Sequence, residues 1–310
     1  MKKVWFDKYR PSTLDGYVFK NEDLKNQING WIRDQNIPHL LFSGPAGTGK
    51  TTLAKVVMNE LGVDKADVLE INASSDNSVD NIRDRITNFV STMSFAGEMR
   101  YVLMDEADYL THNAQAALRG VMEKYINTSR FILTCNYPHK VIPAIHSRVQ
   151  GITIDTLDKT EFATRMMEIL IAEEVTFDAD TIQLFIDAFY PDMRKCTNEL
   201  QLNSSTGTLI KPAASTSSSD YMLEMVALFR AKKFDEARKL ICSQASPEEY
   251  DSIFRFLYDN VEFWSDGEKM KEYQAIIIIR NGLCNHPLAG DPEINLSATL
   301  VELEQINEGA

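Results

Sequence analysis

The sequence is poor in cysteine and lacks a long hydrophobic run. Its four cysteines are spread over 310 residues without a closely spaced pair, which argues against a zinc site and a disulfide framework. The most apolar run, residues 276–279, is far shorter than the ~20 residues that cross a bilayer. The start, MKKVWFDKYRP, has no apolar segment, so we expect no secretory signal and a cytoplasmic location. The hydrophobic content of 44% excludes a mostly disordered or collagen-like chain.

An excess of positive charge is also lacking, because the net charge is −13. Residues 1–155 carry 18 basic and 18 acidic side chains, so the whole acidic excess lies in the rest of the chain. Residues 220–310 alone carry 9 basic and 17 acidic side chains. A DNA backbone would be repelled by this acidic part. If the protein binds nucleic acid, we expect the N-terminal half to bind it.

The N-terminal half alternates short apolar runs with helical patterns. The predicted strands are residues 39–43, 68–72, 100–104, 130–134 and 151–155. They are apolar nearly throughout, as strands buried on both faces of a parallel sheet are. Helices are predicted from Lys50 to Gly62, from near Ser78, and from Asn113 to Tyr125. This alternation predicts an α/β fold. From Thr160 onward the pattern is helical only, interrupted by a linker rich in Ser, Thr and Ala at 204–219.

A phosphate-binding loop follows the first predicted strand. Residues 44–51 read GPAGTGKT, which matches the pattern GxxxxGK[ST] between a strand and a helix. In such a loop, backbone N–H groups and the helix dipole surround a β-phosphate. Lys50 supplies a charge for the terminal phosphates, and the hydroxyl group of Thr51 is suited to Mg²⁺. The sequence therefore predicts a nucleotide site.

Carboxylates follow the third predicted strand, where Asp105, Glu106, Ala107 and Asp108 spell DEAD. Asp105 is placed to serve a metal ion, and Glu106 to polarise a water molecule for attack on the γ-phosphate. The four letters also suggest an RNA helicase. Those enzymes need a Ser-Ala-Thr element soon afterwards, and here the only one is at 297–299, in the acidic tail. We therefore set the helicase interpretation aside.

Three further residues each allow two interpretations. Asn136 follows the fourth predicted strand. Its side-chain amide either orients the attacking water, or the residue has no role beyond forming a turn. Arg148 precedes the last predicted strand. It is either an exposed surface charge or a cation that is supplied to the active site of a neighbouring subunit. Arg194 lies in a helical segment and either reaches back to the phosphates or stays at the surface. Taken singly, these residues do not decide between the interpretations.

Together these elements resemble the small ATPase subunits of DNA sliding-clamp loaders. The chain is similar to replication factor C small subunits, and most of all to their T-even-type phage version. The resemblance covers residues 4–203 in sequence. The rest of the chain resembles the family only in its length and helical character. The motifs that carry it are WFDKYRP at 5–11, PHLLF at 38–42, NAS at 72–74, DEAD at 105–108, AQAALR at 114–119, Asn136, Ser147-Arg148 and DMR at 192–194.

The resemblance implies an AAA+ architecture and the cofactors ATP and Mg²⁺. It implies an α/β nucleotide domain at 1–157, a helical lid at 158–211, a linker at 212–219 and a helical collar at 220–310. The implied ATP-binding residues are Tyr9, Arg10, Pro11, Gly44, Pro45, Ala46, Gly47, Thr48, Gly49, Lys50, Thr51 and Thr52. Of these, Tyr9, Arg10 and Pro11 would line the adenine pocket.

The same resemblance assigns roles near the γ-phosphate. Thr51 and Asp105 would hold the metal, and Glu106 would be the base. Asn136 would be the first sensor, Arg148 an arginine finger acting in trans, and Arg194 a second sensor acting in cis. The family has Ser-Arg-Cys at the finger, whereas Val149 stands here in place of the cysteine. A second arginine common after Ala-Leu-Arg is replaced by Gly120, so no role is transferred to that position.

The implied partners are other loader subunits in a ring or spiral of five, a sliding clamp and primer–template DNA, without a membrane. A phage protein would act in the host cytoplasm. The segment after residue 74 would face DNA, with Ser75, Asn77, Ser78 and Arg83 as candidate contacts. An ordinary solvated helix face is the alternative for this segment. For the whole protein, two alternatives stay open: another AAA+ DNA machine, such as a branch-migration motor or helicase loader, and a subunit that binds ATP without hydrolysing it.

Overall fold

A five-stranded parallel sheet organises the N-terminal half of the chain in the computed structural model, which describes residues 3–75, 79–92, 94, 99–210, 220–245, 249–265 and 268–308. Its strands are β1 (Leu40–Ser43), β2 (Val68–Asn72), β3 (Arg100–Asp105), β4 (Ser129–Cys135) and β5 (Gln150–Thr153). They lie in the order β2-β3-β4-β1-β5, and each neighbouring pair is parallel. The predicted α/β fold with a parallel sheet is thereby confirmed.

The sheet is buried because its central strands are apolar on both faces. Every residue of β1 is buried, and so is every residue of β4 except Arg130. In the edge strand β5 only Ile152 is buried. Ser43 pairs with Cys135, and Asn72 pairs with Asp105, so the carboxyl ends of four strands meet along one edge. In α/β sheets this edge is where ligands bind.

Helices alternate with the strands along the chain and follow the last strand. They are α1 (Trp5–Lys8), α2 (Glu22–Arg33), α3 (Lys50–Glu60), α4 (Val79–Ser91), α5 (His112–Lys124), α6 (Pro143–His146), α7 (Lys159–Ala172), α8 (Ala179–Phe189) and α9 (Met193–Leu202). Side chains cap several of their N-termini. Thr111 accepts a hydrogen bond from the N–H of Ala114, and Asp158 accepts one from Glu161. Such caps satisfy N–H groups that have no partner within the helix and fix where it begins.

The C-terminal part of the chain is helical wherever it is described. Its helices are α10 (Asp220–Arg230), α11 (Phe234–Gln244), α12 (Tyr250–Asp259), α13 (Lys269–Asn285) and α14 (Pro292–Glu308). The last helix begins at Pro292. The reason is local, since Asp291 accepts a hydrogen bond from the N–H of Glu293 and Pro292 takes the first helical position. Proline suits that position because its missing N–H would have no partner.

Aromatic rings form the core of this helical part. The ring of Phe229 on α10 lies with its centroid 5.3 Å from that of Trp264 and 6.3 Å from that of Phe256. Trp264 is 1% exposed, and Phe234 packs against it at 6.1 Å. Large buried rings contribute much of the apolar area that stabilises a small helical domain.

Contacts within the chain group it into two compact units. One contains residues 1–176 with 189–202, and the other contains residues 177–188 with 203–310. The predicted linker at 212–219 lies outside the described residues. The predicted division into ATPase domain, lid and collar is not tested by this grouping and stays a prediction. In the described part of the chain, no helix is long and apolar enough to cross a membrane.

Candidate active site

A cavity at the carboxyl edge of the sheet brings together most of the predicted site residues. Its walls come from α1 and the residues after it, the loop after β1, the ends of β3 and β4, and helices α7 and α9. The predicted residues that line it are Tyr9, Arg10, Pro11, Ala46, Gly47, Thr48, Gly49, Lys50, Thr51, Thr52, Asp105, Glu106, Asn136 and Arg194. Gly44 and Pro45 are not among the lining residues, but both contact Lys50.

The loop that joins β1 to α3 has a backbone shape suited to glycine. Gly47 and Gly49 have φ angles of 77° and 88°, in the left-handed region that glycine adopts without a steric cost. A Cβ atom on Gly47 would lie 1.8 Å from a carboxylate oxygen of Asp192, and one on Gly49 would lie 3.0 Å from the Tyr17 ring. Because α3 begins at Lys50, its N–H groups and dipole favour an anion in this cavity.

Lys50 is a largely buried cation at the base of this loop. Its Nζ donates hydrogen bonds to the carbonyl oxygens of Gly44 at 2.8 Å and Pro45 at 2.6 Å. Burial lowers the pKa of Lys50, while the nearby Asp105 and Asp108 carboxylates act in the opposite direction. A buried ammonium group held near carboxylates is stabilised further by a polyanionic ligand.

Asp105 and Thr51 form an oxygen-rich corner beside the loop. One carboxylate oxygen of Asp105 accepts hydrogen bonds from the Thr51 hydroxyl, at 2.7 Å, and from the Thr134 hydroxyl. Carboxylate and hydroxyl oxygens are the hard ligands that Mg²⁺ prefers, and this ion keeps several waters and substrate oxygens. Among the described residues, no group of three or more His, Cys, Asp or Glu side chains is arranged so that it could hold a metal ion by itself. A metal held by few protein ligands together with a phosphate fits this donor set.

Glu106 has an unusual backbone conformation for its residue type. Its φ and ψ are 57° and 44°, in the left-handed region, which a non-glycine residue adopts only when its surroundings require it. The N–H of Glu106 donates a hydrogen bond to the Thr134 hydroxyl at 3.1 Å. The half-buried side chain lines the cavity. Thr134 therefore connects Asp105 with the backbone of Glu106.

Asp108 fixes the end of the neighbouring strand. Its Oδ2 accepts hydrogen bonds from the N–H groups of Asn136, at 3.2 Å, and Tyr137, at 3.1 Å. The side chain is 7% exposed, so these bonds form away from water. Asn136 thus has a defined position at the cavity, and its amide group is available to a ligand or a water molecule.

Arg194 belongs to the helix that adjoins the phosphate loop. The N–H of Met193 donates to the carbonyl of Gly47 at 3.1 Å, which ties the start of α9 to the tip of the loop. Asp192 accepts a hydrogen bond from the N–H of Lys195 at 2.8 Å. Burial raises the pKa of Asp192, although this hydrogen bond and the charge of Arg194 oppose the change. These contacts hold α9 so that Arg194 lines the cavity.

Arg148 lies apart from the cavity. Its guanidinium donates hydrogen bonds to the carboxylate of Glu123, to the carbonyl of Ala144 and to the hydroxyl of Ser147. The side chain is 31% exposed and forms an ion pair with Glu123. Arg148 therefore does not line the cavity of its own chain.

The residues predicted to face DNA are also outside the cavity. Ser75 is exposed, and its hydroxyl donates to the carbonyl of Asn72 at 3.2 Å. Arg83 on α4 is exposed and forms an ion pair with Asp84 at 3.4 Å. Asn77 and Ser78 lie outside the described residues. The assignment of these residues to DNA stays a prediction.

Several residues that line the cavity escaped prediction from the sequence. They are Phe6, Tyr17, Val18, Thr134, Leu157, Arg165, Ile169, Met193 and Thr197. Thr134 could have been predicted to line the site, because it lies two residues before Asn136 and alternate residues of a strand share a face. The apolar residues carried no such signal, since an apolar side chain that lines a cavity looks the same in sequence as one in the core.

Comparison with known proteins agrees with this geometry. Residues 40–155 match the family model "ATPase family associated with various cellular activities (AAA)". The solved structure of the Thermotoga maritima RuvB Holliday junction branch migration motor shares the fold, with a TM-score of 0.53 and 16% identity over 70% of this chain and 72% of that chain. The matched segment includes the phosphate loop and the Asp105–Glu106 pair. The fold and the cavity define an AAA ATPase.

Two archaeal relatives identify the family within this class. A replication factor C small subunit of Haloarcula marismortui is 40% identical over 69% of this chain and 66% of the relative. That of Sulfolobus acidocaldarius is 36% identical over 76% of this chain and 74% of the relative. The chain belongs to the replication factor C small-subunit family. The similar proteins are archaeal and eukaryotic, so they lend no support to the expectation of a phage protein.

Proposed function

We propose that the chain is the ATP-hydrolysing motor subunit of a DNA sliding-clamp loader. The observation that carries the proposal is the convergence of Lys50, Thr51, Asp105, Glu106 and Arg194 on one cavity. These side chains come from three separate segments, and each has a chemistry that phosphoryl transfer from ATP requires. Membership of the replication factor C small-subunit family supplies the biological setting.

The proposed site divides between adenine and phosphates. Tyr9, Arg10 and Pro11 form the adenine side, and the loop at 44–52 surrounds the phosphates. Lys50 balances the charge of the terminal phosphates, and Thr51 and Asp105 hold Mg²⁺. A metal ion held there would supply positive charge to the phosphates. Two hydrogen bonds to Asp105 keep its carboxylate in place for that role.

Glu106 and Asn136 prepare the attacking water in this mechanism. The Glu106 carboxylate accepts a hydrogen bond from the water and takes its proton as the water oxygen bonds to the γ-phosphorus and the bond from that phosphorus to the bridging oxygen breaks, which releases ADP. The Asn136 amide orients the same water or the γ-phosphate. Both side chains line the cavity, and Asp108 holds the backbone of Asn136. Arg194 adds positive charge from the same chain.

Removing the Thr134 hydroxyl is expected to slow turnover. In Thr134→Val, which keeps the side-chain shape, Asp105 loses one hydrogen bond and the N–H of Glu106 loses its acceptor. An unpaired buried polar group costs about 1–3 kcal/mol. If about 1.4 kcal/mol of this is lost in the transition state, kcat falls about tenfold. Steady-state ATPase assays measure this, and Thr134→Ser should restore the rate. Equal loss in both variants would mean that the hydroxyl is not responsible.

Arg148 is proposed to complete the site of a neighbouring subunit. It does not line its own cavity, whereas an arginine that acts in trans must be reachable from outside. Its pairing with Glu123 holds the guanidinium in one orientation until a phosphate competes for it. The finger would thereby couple hydrolysis to assembly of the ring or spiral, which we propose contains five subunits.

The proposal also assigns a role to each segment of the chain. Residues 1–157 bind nucleotide, residues 158–211 form the lid, residues 212–219 link, and residues 220–310 form the collar that joins subunits. ATP binding closes the spiral around primer–template DNA and an opened clamp, and hydrolysis releases both. We propose that this occurs in the cytoplasm.

Two rival functions are less well supported. A branch-migration motor or helicase loader with a winged-helix appendage would need strands near its C-terminus, whereas residues 220–308, where described, form helices without strands. The charge of this part also suits protein contacts better than DNA. A subunit that binds ATP without hydrolysing it would be expected to lack one of Lys50, Asp105, Glu106 or Asn136, and all four are present.

One experiment tests the proposed function directly. The ATPase rate is measured with and without a cognate clamp and primer–template DNA. A clamp loader should be stimulated by the two together more than by either alone. Stimulation by branched DNA without a clamp would instead favour the branch-migration motor.

The proposed DNA contact gives a further prediction. Arg83→Glu should weaken DNA-stimulated ATPase and spare the basal rate, because Arg83 does not line the nucleotide cavity. A lost phosphate contact also lowers the salt dependence of DNA affinity by about one in log–log slope. Arg33→Glu is the matched control, since Arg33 is likewise exposed and paired with the next residue, Asp34. A fall in basal and stimulated rates together would remove this face of α4 from the DNA interface.

A further inference from the structure

Two arginines share one aromatic ring at the edge of the cavity. The guanidinium carbon of Arg194 lies 4.9 Å from the ring centroid of Phe6, and that of Arg10 lies 5.0 Å from it. All three residues line the cavity. A cation within about 6 Å of a ring centroid, over its face, is attracted by the ring electrons. The ring therefore brings together two residues that are separated by most of the N-terminal unit in sequence.

The two arginines differ in their other contacts. Arg10 donates a hydrogen bond to Asp7 at 2.8 Å. For Arg194, the structure gives no side-chain hydrogen bond or ion pair to another described residue. Its guanidinium lies over the Phe6 ring, and its charge acts on Asp192 and Lys50. An arginine side chain has many rotamers when nothing restricts it. The Phe6 ring is therefore a direct contact that restricts the rotamers of the Arg194 side chain.

The position of Phe6 is fixed by a hydrogen bond between α1 and α9. Phe6 belongs to the short helix α1, and the N–H of the preceding Trp5 donates to the Gln201 side chain on α9 at 2.9 Å. Trp5 itself is 8% exposed. The short helix α1, which carries the Phe6 ring, is thus bonded to α9, the helix that contains Arg194. Movement of α9 carries the ring and the guanidinium together.

We propose that Phe6 is a positioning residue for Arg194. The start of α9 is bonded to the phosphate loop through Met193 and Gly47, and the ring holds the guanidinium of the next residue in the cavity, so that Arg194 distinguishes a nucleoside triphosphate from a diphosphate. Since the side chain is ordered beforehand, less rotamer freedom is lost when the terminal phosphate binds. This inference rests on the proposed function, because it requires that ATP occupies the cavity.

A double-mutant cycle tests the inference in the full chain. The dissociation constants of ATP and ADP are measured by calorimetry for the wild type, Phe6→Leu, Arg194→Ala and the double variant. Phe6→Leu should lower the preference for ATP over ADP by about three- to tenfold, the range of a cation–π contact. Phe6→Tyr keeps a ring face and should restore it. In the Arg194→Ala background, Phe6→Leu should change the preference no further.

Tyr258→Leu is the matched control. It removes the ring beneath Arg255, at 5.3 Å, far along the chain in the helical part, and should leave both dissociation constants unchanged. The inference is overturned if Phe6→Leu weakens ATP and ADP equally, or if its effect persists undiminished without Arg194. A wild-type chain that binds neither nucleotide would instead contradict the proposed function itself. Thermal unfolding of each variant separates loss of the contact from loss of the fold.

Discussion

Glu106→Gln is expected to bind ATP with nearly unchanged affinity and to hydrolyse it about 10²–10⁴-fold more slowly. Glutamine keeps the length of the side chain and its oxygen, but it cannot take a proton from the attacking water. The substitution leaves Lys50, Thr51 and Asp105 untouched, and these residues provide the proposed phosphate and metal contacts. The loss should therefore appear in kcat and leave nucleotide binding in place.

The backbone of Glu106 makes this substitution a clean test. Its left-handed conformation depends on the neighbouring strand ends, and the N–H bond to Thr134 does not involve the side chain. Glutamine has no reason to change either feature. Single-turnover assays with ATP measure the chemical step, and calorimetry measures binding. Glu70→Gln, an exposed carboxylate on β2 that pairs with Lys55, is the matched control. Normal turnover in Glu106→Gln would exclude Glu106 as the base.

Sequence patterns predicted the sheet because its strands obey a local rule. Runs such as residues 100–104 and 130–134 are apolar nearly throughout, as expected of strands that are buried on both faces of a parallel sheet. The observed strands β3 and β4 extend these runs by one or two residues. The order of the strands in the sheet was not predicted. It depends on which strands pair with each other, and the sequence of a single strand does not determine that.

The candidate site was predictable where chemistry requires a residue at a fixed spacing. The loop at 44–51 and the Asp105–Glu106 pair follow strands directly, and the cavity lies beside them. The positive φ of Glu106 has no signal in sequence, because it results from bonds to a different strand. Phe6 and Arg194 meet only because α1 and α9 pack together. Contacts of this kind depend on tertiary packing and cannot be inferred from local patterns.

Arg148→Ala is expected to lower the ATPase rate of the assembled complex about 10³–10⁵-fold, the range of an arginine finger. The nucleotide affinity of an isolated subunit should hardly change, because Arg148 does not line its own cavity. Thermal unfolding should reveal only a small effect, since its ion pair with Glu123 is partly exposed. Arg33→Ala removes an exposed arginine elsewhere in the same unit and is the control.

Mixing two inactive variants decides whether the arginine acts in trans. An Arg148→Ala subunit keeps Glu106, and a Glu106→Gln subunit keeps Arg148. Where the second variant adjoins the site of the first, that site is complete. In complexes that contain several copies of the chain, random mixing in equal amounts makes about a quarter of such head-to-tail interfaces complete. ATPase activity should therefore return on mixing to roughly that fraction of the wild-type rate. If Arg148 instead served the site of its own chain, every site in the mixture would lack one group and the activity would stay absent.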